Sequence, residues 1–287
     1  MGDNLIANKG LAFSECSPGS TAMNRDALNA LDQSVAIARQ RAGGRIPIVG
    51  VAGPQGSGKT TLVRAYAALH HGTAHFSLDD VYLDAASRRM LSATVHPLFA
   101  TRGPPGTHDL DLLSATLDVL QATDPDSRTP LPAFDKATDN PLPRSSRPIY
   151  EGRPQLILID GWCLGASAQS DTELATAINE IEAKEDDRGK WRRAINENLT
   201  LPYALAFDRF DAVLYLRAPD FGVIHDWRCE QEEGLLGRAL SEADRRRIAI
   251  FIQHFERITR HMMSGGRRAD MEVKLDAERN VTEVKRI

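Results

Sequence analysis

The segment Gly53-Pro-Gln-Gly-Ser-Gly-Lys-Thr60 has the spacing G-x-x-x-x-G-K-[ST]. Glycines at that spacing let backbone N–H groups curl around phosphate oxygens. The lysine can reach β- and γ-phosphates, and the hydroxyl after it suits Mg²⁺. Gly53, Pro54, Gln55, Gly56, Ser57, Gly58, Lys59, Thr60 and Thr61 are therefore the expected nucleotide-binding residues, with phosphates at a helix N-terminus. Phosphoryl transfer needs few further parts: a divalent cation, a carboxylate for the attacking oxygen, and cations on the transferred group. Asp79 and Asp80 could supply the carboxylate, with Asp79 the candidate base. Either could instead cap the next helix. Asp160 would join Thr60 as a metal ligand, or merely open an Asp-Gly turn. Arg102, His108 and Asp109 share one short segment, and Asp135-Lys136 repeats the mix of acid and cation. Both suit an anionic, hydroxylated acceptor, although Thr107 or Asp109 could equally start a helix. Arg228 is either a lid cation over the phosphates or solvated helix surface. His70 and His71 read as the end of a helix rather than as ligands.

These residues must be held by elements that bring them together. Residues 46–52, 74–78, 155–159 and 212–217 are short apolar runs, as expected of strands buried on both faces. Helical spacing separates them at 26–39, 61–69, 109–121, 171–186, 190–199, 220–233 and 241–263. Alternation of this kind implies an α/β fold with a mostly parallel sheet, whose ligands gather beyond the carboxyl ends of the strands. The glycine loop, Asp79-Asp80 and Asp160 all follow such ends. Segments 270–276 and 280–286 alternate around a polar turn and predict a terminal hairpin. Residues 1–22 read as a flexible leader and 23–287 as a single domain. Within it, 97–154 is a proline-rich substrate-binding insertion.

The chain has 287 residues, 42 % of them hydrophobic, enough for one large core. A net charge of −4 gives no reason to expect nucleic acid as a partner. Cys16, Cys163 and Cys229 are too dispersed for a disulfide framework or a zinc site, and read as small buried apolar residues. No run reaches membrane-spanning length and no signal peptide is evident, so a cytoplasmic protein without a membrane partner is expected. Oligomeric state is left open by these features.

Taken together, the segments resemble the D-glycerate 3-kinases, within the P-loop kinases that include pantothenate kinase, uridine kinase and phosphoribulokinase. The resemblance rests on Gly53–Thr60, Ser77-Leu-Asp-Asp-Val-Tyr-Leu83, Arg102-Gly-Pro-Pro-Gly-Thr-His-Asp-Leu110, Pro132-Ala-Phe-Asp-Lys136 and Asp160-Gly-Trp-Cys-Leu-Gly165. Trp227-Arg-Cys-Glu-Gln-Glu232 and the terminal hairpin also fit, so it covers roughly residues 25–287. It implies the P-loop kinase fold and phosphorylation of D-glycerate to 3-phosphoglycerate with ATP and Mg²⁺. By position it implies Asp79 as the catalytic base. The candidate set is then Asp79, Lys59 and Arg228 as catalytic residues, Thr60 and Asp160 as metal ligands, and Asp80, Tyr82, Arg102, His108, Asp109, Asp135 and Lys136 around the acceptor. Val81 stands where an aromatic is expected, Phe134 where a tyrosine is expected, and Asp160 where glutamate is frequent. The rival readings are a kinase for pantothenate, a nucleoside or another hydroxy acid, a P-loop NTPase acting on a protein partner, and a nucleotide-binding regulator without turnover.

Overall fold

The structure, a computed structural model, describes residues 20–287, with side chains from Arg25 onward. In chain order the elements are α1 (Ser20–Arg41), β1 (Ile48–Ala52), α2 (Lys59–Leu69), β2 (Thr73–Ser77), α3 (Ala85–Thr94), α4 (Leu110–Gln121), β3 (Arg128–Pro130), β4 (Phe134–Asp135), β5 (Asn140–Pro141), β6 (Ile149–Glu151) and β7 (Leu156–Gly161). They continue with α5 (Asp171–Leu174), α6 (Glu180–Glu185), α7 (Lys190–Thr200), α8 (Pro202–Phe207), β8 (Ala212–Arg217), α9 (Gly222–Leu236), α10 (Glu242–Met263), β9 (Met271–Leu275) and β10 (Val281–Arg286). The flexible leader read at 1–22 lies outside the described residues, except that 20–22 already belong to α1.

Six strands form the central sheet in the order β10-β9-β8-β1-β7-β2. All neighbours run parallel except β9 and β10, the antiparallel terminal hairpin, which extends the sheet at one edge. This is the expected α/β fold with a mostly parallel sheet. The strand side chains alternate between two cores, as period-2 geometry requires. Ile48, Ile157, Ile159, Val213 and Tyr215 face the core that includes α4, α7 and α8. Val49, Val51, Leu158, Leu214 and Leu216 face the one that includes α1, α2 and α9. Burial on both faces explains why these strands read as unbroken apolar runs. Register sets Val51 beside Asp160 and Ser77 beside Asp160, so the ends of β1, β2 and β7 meet at one edge.

One expected element is replaced by two. The helix predicted over 171–186 is broken between α5 and α6, because buried arginines take the carbonyls a continuous helix would use. Arg257 donates to the carbonyls of Glu173 and Thr176 at 2.9 and 2.7 Å, and Arg192 to that of Leu174 at 2.7 Å. Asn179 then caps α6. The stretch 97–154 carries α4 and two small antiparallel pairs, β3–β6 and β4–β5. Cys163 and Cys229 are free and buried, as read; Cys16 lies outside the described residues. Among the described residues no helix is long and apolar enough to cross a membrane.

Candidate active site

Residues 53–58 turn from β1 into α2. Gly56 and Gly58 have φ of +74° and +88°, a region that L side chains enter only with strain. A Cβ on Gly56 would also lie 2.6 Å from the Cβ of Trp227. Gly58 caps α2 and can offer no side-chain acceptor, so the first N–H groups of the helix point into the loop. Inside it the carbonyl of Pro54 accepts from both Ser57 Oγ and Lys59 Nζ at 2.8 Å. Lys59 is buried. That burial holds its pKa below the usual lysine value, against the opposing pull of Asp160 and Asp79.

At the end of β7, Asp160 is only 3 % exposed, and burial pushes its carboxyl up. Thr60 Oγ1 donates to its Oδ2 at 2.7 Å, and Ser77 Oγ lies 3.4 Å from the same oxygen. The cluster is all oxygen, with one carboxylate and two hydroxyls. Such donors suit Mg²⁺, which keeps most of its waters and substrate-phosphate ligands. Among the described residues there is no group of three or more His, Cys, Asp or Glu that could hold a metal.

The end of β2 sorts the paired acids. Residues 78–81 form a single tight turn. Asp80 accepts the backbone N–H of Ser77 at 2.8 Å, while Ser77 Oγ accepts from the N–H of Asp79. Asp80 is thus the reciprocal cap, and burial with the nearby Asp79 and Asp160 raises its pKa to about 6. The Asp79 carboxylate is met instead by side chains. The hydroxyl of Tyr82 donates to Oδ1 at 2.7 Å, and Lys136 Nζ lies 3.2 Å from Oδ2. Burial works to raise the Asp79 pKa, but Lys136 and the Tyr82 hydrogen bond hold it below the usual carboxylate value.

Residues 102–109 pack beside this turn through the Leu83 N–H to the Thr107 carbonyl and the Asp109 N–H to the Val81 carbonyl. Arg102 pairs with Asp139 at 2.6 Å and lies 5.9 Å from the centre of the Phe134 ring. His108, a candidate for acceptor binding, is buried beside the cleft and is not among the residues that line it. It is 5 % exposed, stacks on Tyr82 and bonds through Nδ1 to the Tyr203 hydroxyl, and burial lowers its pKa to about 4. Asp109 is not in the cleft lining: its carboxylate caps α4 by accepting the Leu112 N–H at 2.8 Å. Asp135 likewise closes its own turn, accepting from the Ala137 N–H and the Thr138 hydroxyl. For these acids the capping alternative describes the geometry.

A cleft of about 580 Å³ joins the remaining parts, with Gln55–Thr61 as its floor. Asp79, Tyr82, Arg102, Lys136 and Asp160 line one side. Arg228, paired with Glu232 at 2.8 Å, and Trp162, Phe255 and Arg279 line the rest. A second cavity of about 550 Å³ reaches Asp79, Lys136 and Asp160 from under β6. Arg279 escaped the reading of the sequence. It lies in the β9–β10 turn, and nothing local to it signals a cleft more than two hundred residues upstream. Phe255, also missed, is one apolar position on an amphipathic helix.

No family model matches this chain. It is 26 % identical over 224 residues to the uncharacterized kinase mug58 of Schizosaccharomyces pombe, covering 74 % of this chain and 79 % of that one. It is 29 % identical over 197 residues to the chloroplastic D-glycerate 3-kinase of Arabidopsis thaliana, covering 64 % of this chain and 41 % of that longer protein. The solved structure of D-glycerate 3-kinase from Cryptococcus neoformans superposes with a TM-score of 0.73 over 93 % of this chain and 99 % of that one, at 24 % identity. The chain therefore has the α/β fold of the P-loop kinases, and it is homologous to proteins that include D-glycerate 3-kinase.

Proposed function

We propose that this protein is a small-molecule kinase that transfers the γ-phosphoryl group of ATP to a small hydroxy acid, with D-glycerate as the acceptor and 3-phosphoglycerate as the product. The observation that carries the reading is Asp79, held by Lys136 and Tyr82 on the wall of the cleft that the Gly53–Thr60 loop floors. A carboxylate so held stays ionised and can draw the proton from an acceptor hydroxyl. Lys59 and the loop N–H groups hold the β- and γ-phosphates. Arg102, Lys136 and Arg228 supply the positive charge that an anionic acceptor and the transferred group need. Mg²⁺ would be held by Thr60 and Asp160, and when bound it neutralises charge on the phosphates. Trp162 and Phe255 give the cleft apolar walls that keep water from competing with the acceptor. The similarity to D-glycerate 3-kinases supports the choice of acceptor.

The test is ADP release from Mg·ATP with D-glycerate, L-glycerate, pantothenate, uridine or no acceptor. Stimulation by D-glycerate alone is expected. Stimulation by another acceptor would leave the kinase and remove glycerate. Equal release without acceptor would sink the kinase reading in favour of an NTPase.

A further inference from the structure

The β9–β10 turn reaches back to the glycine loop. Arg279 Nε donates to the carbonyl of Gly56 at 2.7 Å. Its guanidinium lies 5.0 Å from the centre of the Trp227 ring and pairs with Glu230 at 2.7 Å. Trp227 in turn donates its indole N–H to the carbonyl of Ala277, two residues before Arg279, at 2.6 Å. The loop, α9 and the hairpin turn are therefore fastened at one point.

The fastening has a direction. In a planar trans peptide the carbonyl and the following N–H point opposite ways. With the Gly56 carbonyl held on Arg279, the Ser57 N–H turns the other way, inward, where it donates to the Pro54 carbonyl at 3.3 Å, the same oxygen that accepts from Lys59 Nζ. Inward is where a phosphate oxygen is bound in a loop of this kind. Backbone strain marks the same place. Among the described residues only Asp139 and Arg279 are non-glycines with positive φ, at 57° and 67°. Asp139 holds Arg102 at the other wall of the cleft. A side chain kept in that region survives only where the surroundings insist on it.

We propose that Arg279 is a positioning residue for the phosphate loop: it sets the Gly56–Ser57 peptide so that its N–H faces the phosphates. The inference rests on the reading that the cleft binds a nucleoside triphosphate. The test uses the full chain with Arg279→Gly and Arg279→Lys, measuring calorimetric affinity for Mg·ADP and for inorganic tripolyphosphate, and the melting temperature without ligand. Glycine relieves the left-handed strain while the contacts to Gly56, Glu230 and Trp227 are lost, so the two effects oppose each other and Arg279→Gly should melt within a few degrees of the parent. Both variants should bind both ligands about tenfold more weakly, the loss expected of one charge-assisted hydrogen bond. Unchanged affinities would overturn the proposal. Weaker ADP binding with unchanged tripolyphosphate binding would also overturn it, making Arg279 a contact to the base. A parent protein that binds neither ligand would instead remove the nucleotide reading on which the inference stands.

Discussion

Removing the Tyr82 hydroxyl tests whether Asp79 works as an ionised base. In Tyr82→Phe the ring keeps its stack on His108 and its edge contact with Phe134, so only the donor to Asp79 Oδ1 is lost. A hydrogen bond to a charged group contributes about 1.5–3 kcal/mol. Asp79 is 35 % exposed, so solvent screening favours the lower end, about 1.5 kcal/mol. At 1.36 kcal/mol per unit, that moves the acid limb of the kcat/KM profile by about one pH unit. The sign follows from the depressed carboxyl. The base form is needed, activity falls as pH drops through the folded pKa, and loss of a donor to the carboxylate raises that pKa. The limb therefore moves to higher pH while kcat on the alkaline plateau changes little. Stability should follow the same linkage. The contribution of a depressed carboxyl is present above its unfolded pKa and is lost on acidification, so the melting deficit of the variant should shrink at low pH. Lys136→Met should move the limb in the same direction, and a double variant measures how strongly the two donors are coupled. The assay is steady-state ADP release across pH with saturating Mg·ATP. An acid limb that stays in place in both variants would refute the assignment of Asp79 as the base.

Lys59→Ala should lower kcat/KM by about 10²–10³, the scale of one lost charge-stabilising donor, with little change in melting temperature; full activity would remove the loop from the chemistry. Asp80→Asn keeps an acceptor for the Ser77 N–H and removes a carboxyl raised to about 6 by burial and by Asp79 and Asp160. A raised folded pKa means stability is lost as pH rises from the unfolded value of about 4 through the folded one, so the melting advantage of the asparagine variant should grow from about pH 4 to about pH 6 and then level off. An advantage that does not change with pH would refute that account. Glu182, fully buried, accepts from Arg257 Nε and Nη2 at 2.7 and 2.6 Å. Glu182→Ala strands the guanidinium and should cost about 3–5 kcal/mol in denaturant unfolding; a cost under about 1 kcal/mol would mean the pair is dispensable.

The parts of the site that were legible in the sequence share a cause. Strands buried on both faces read as apolar runs, and parallel topology collects whatever follows their carboxyl ends. That alone brings Gly53–Thr60, Asp79 and Asp160 together. Arg279 was illegible because its partner, Gly56, is separated from it by 223 positions, and a turn arginine has no local signature. The break between α5 and α6 was hidden for a related reason: it depends on guanidinium groups that arrive from α7 and α10.

The acids and the histidine were only half legible, since a residue type states what a side chain can do and not which neighbour reaches it first. Asp80, Asp109 and Asp135 each lie within 3 Å of a nearby backbone N–H and accept it. Such a bond is local, forms with the turn itself, and takes the lone pairs a substrate would need. His108 could have been a cation, but burial against Tyr82 and Tyr203 makes its neutral form the stable one. Asp79 differs from the other acids of its turn and of the 102–109 and 135 segments in what holds it. No backbone N–H takes its carboxylate; a phenol and an ammonium do, and the ammonium belongs to Lys136, an exposed side chain free to shift as an acceptor hydroxyl comes in. A carboxylate kept charged by an exposed lysine can exchange that partner for a substrate, whereas one spent on a helix cap would have to break the fold's own turn to do so.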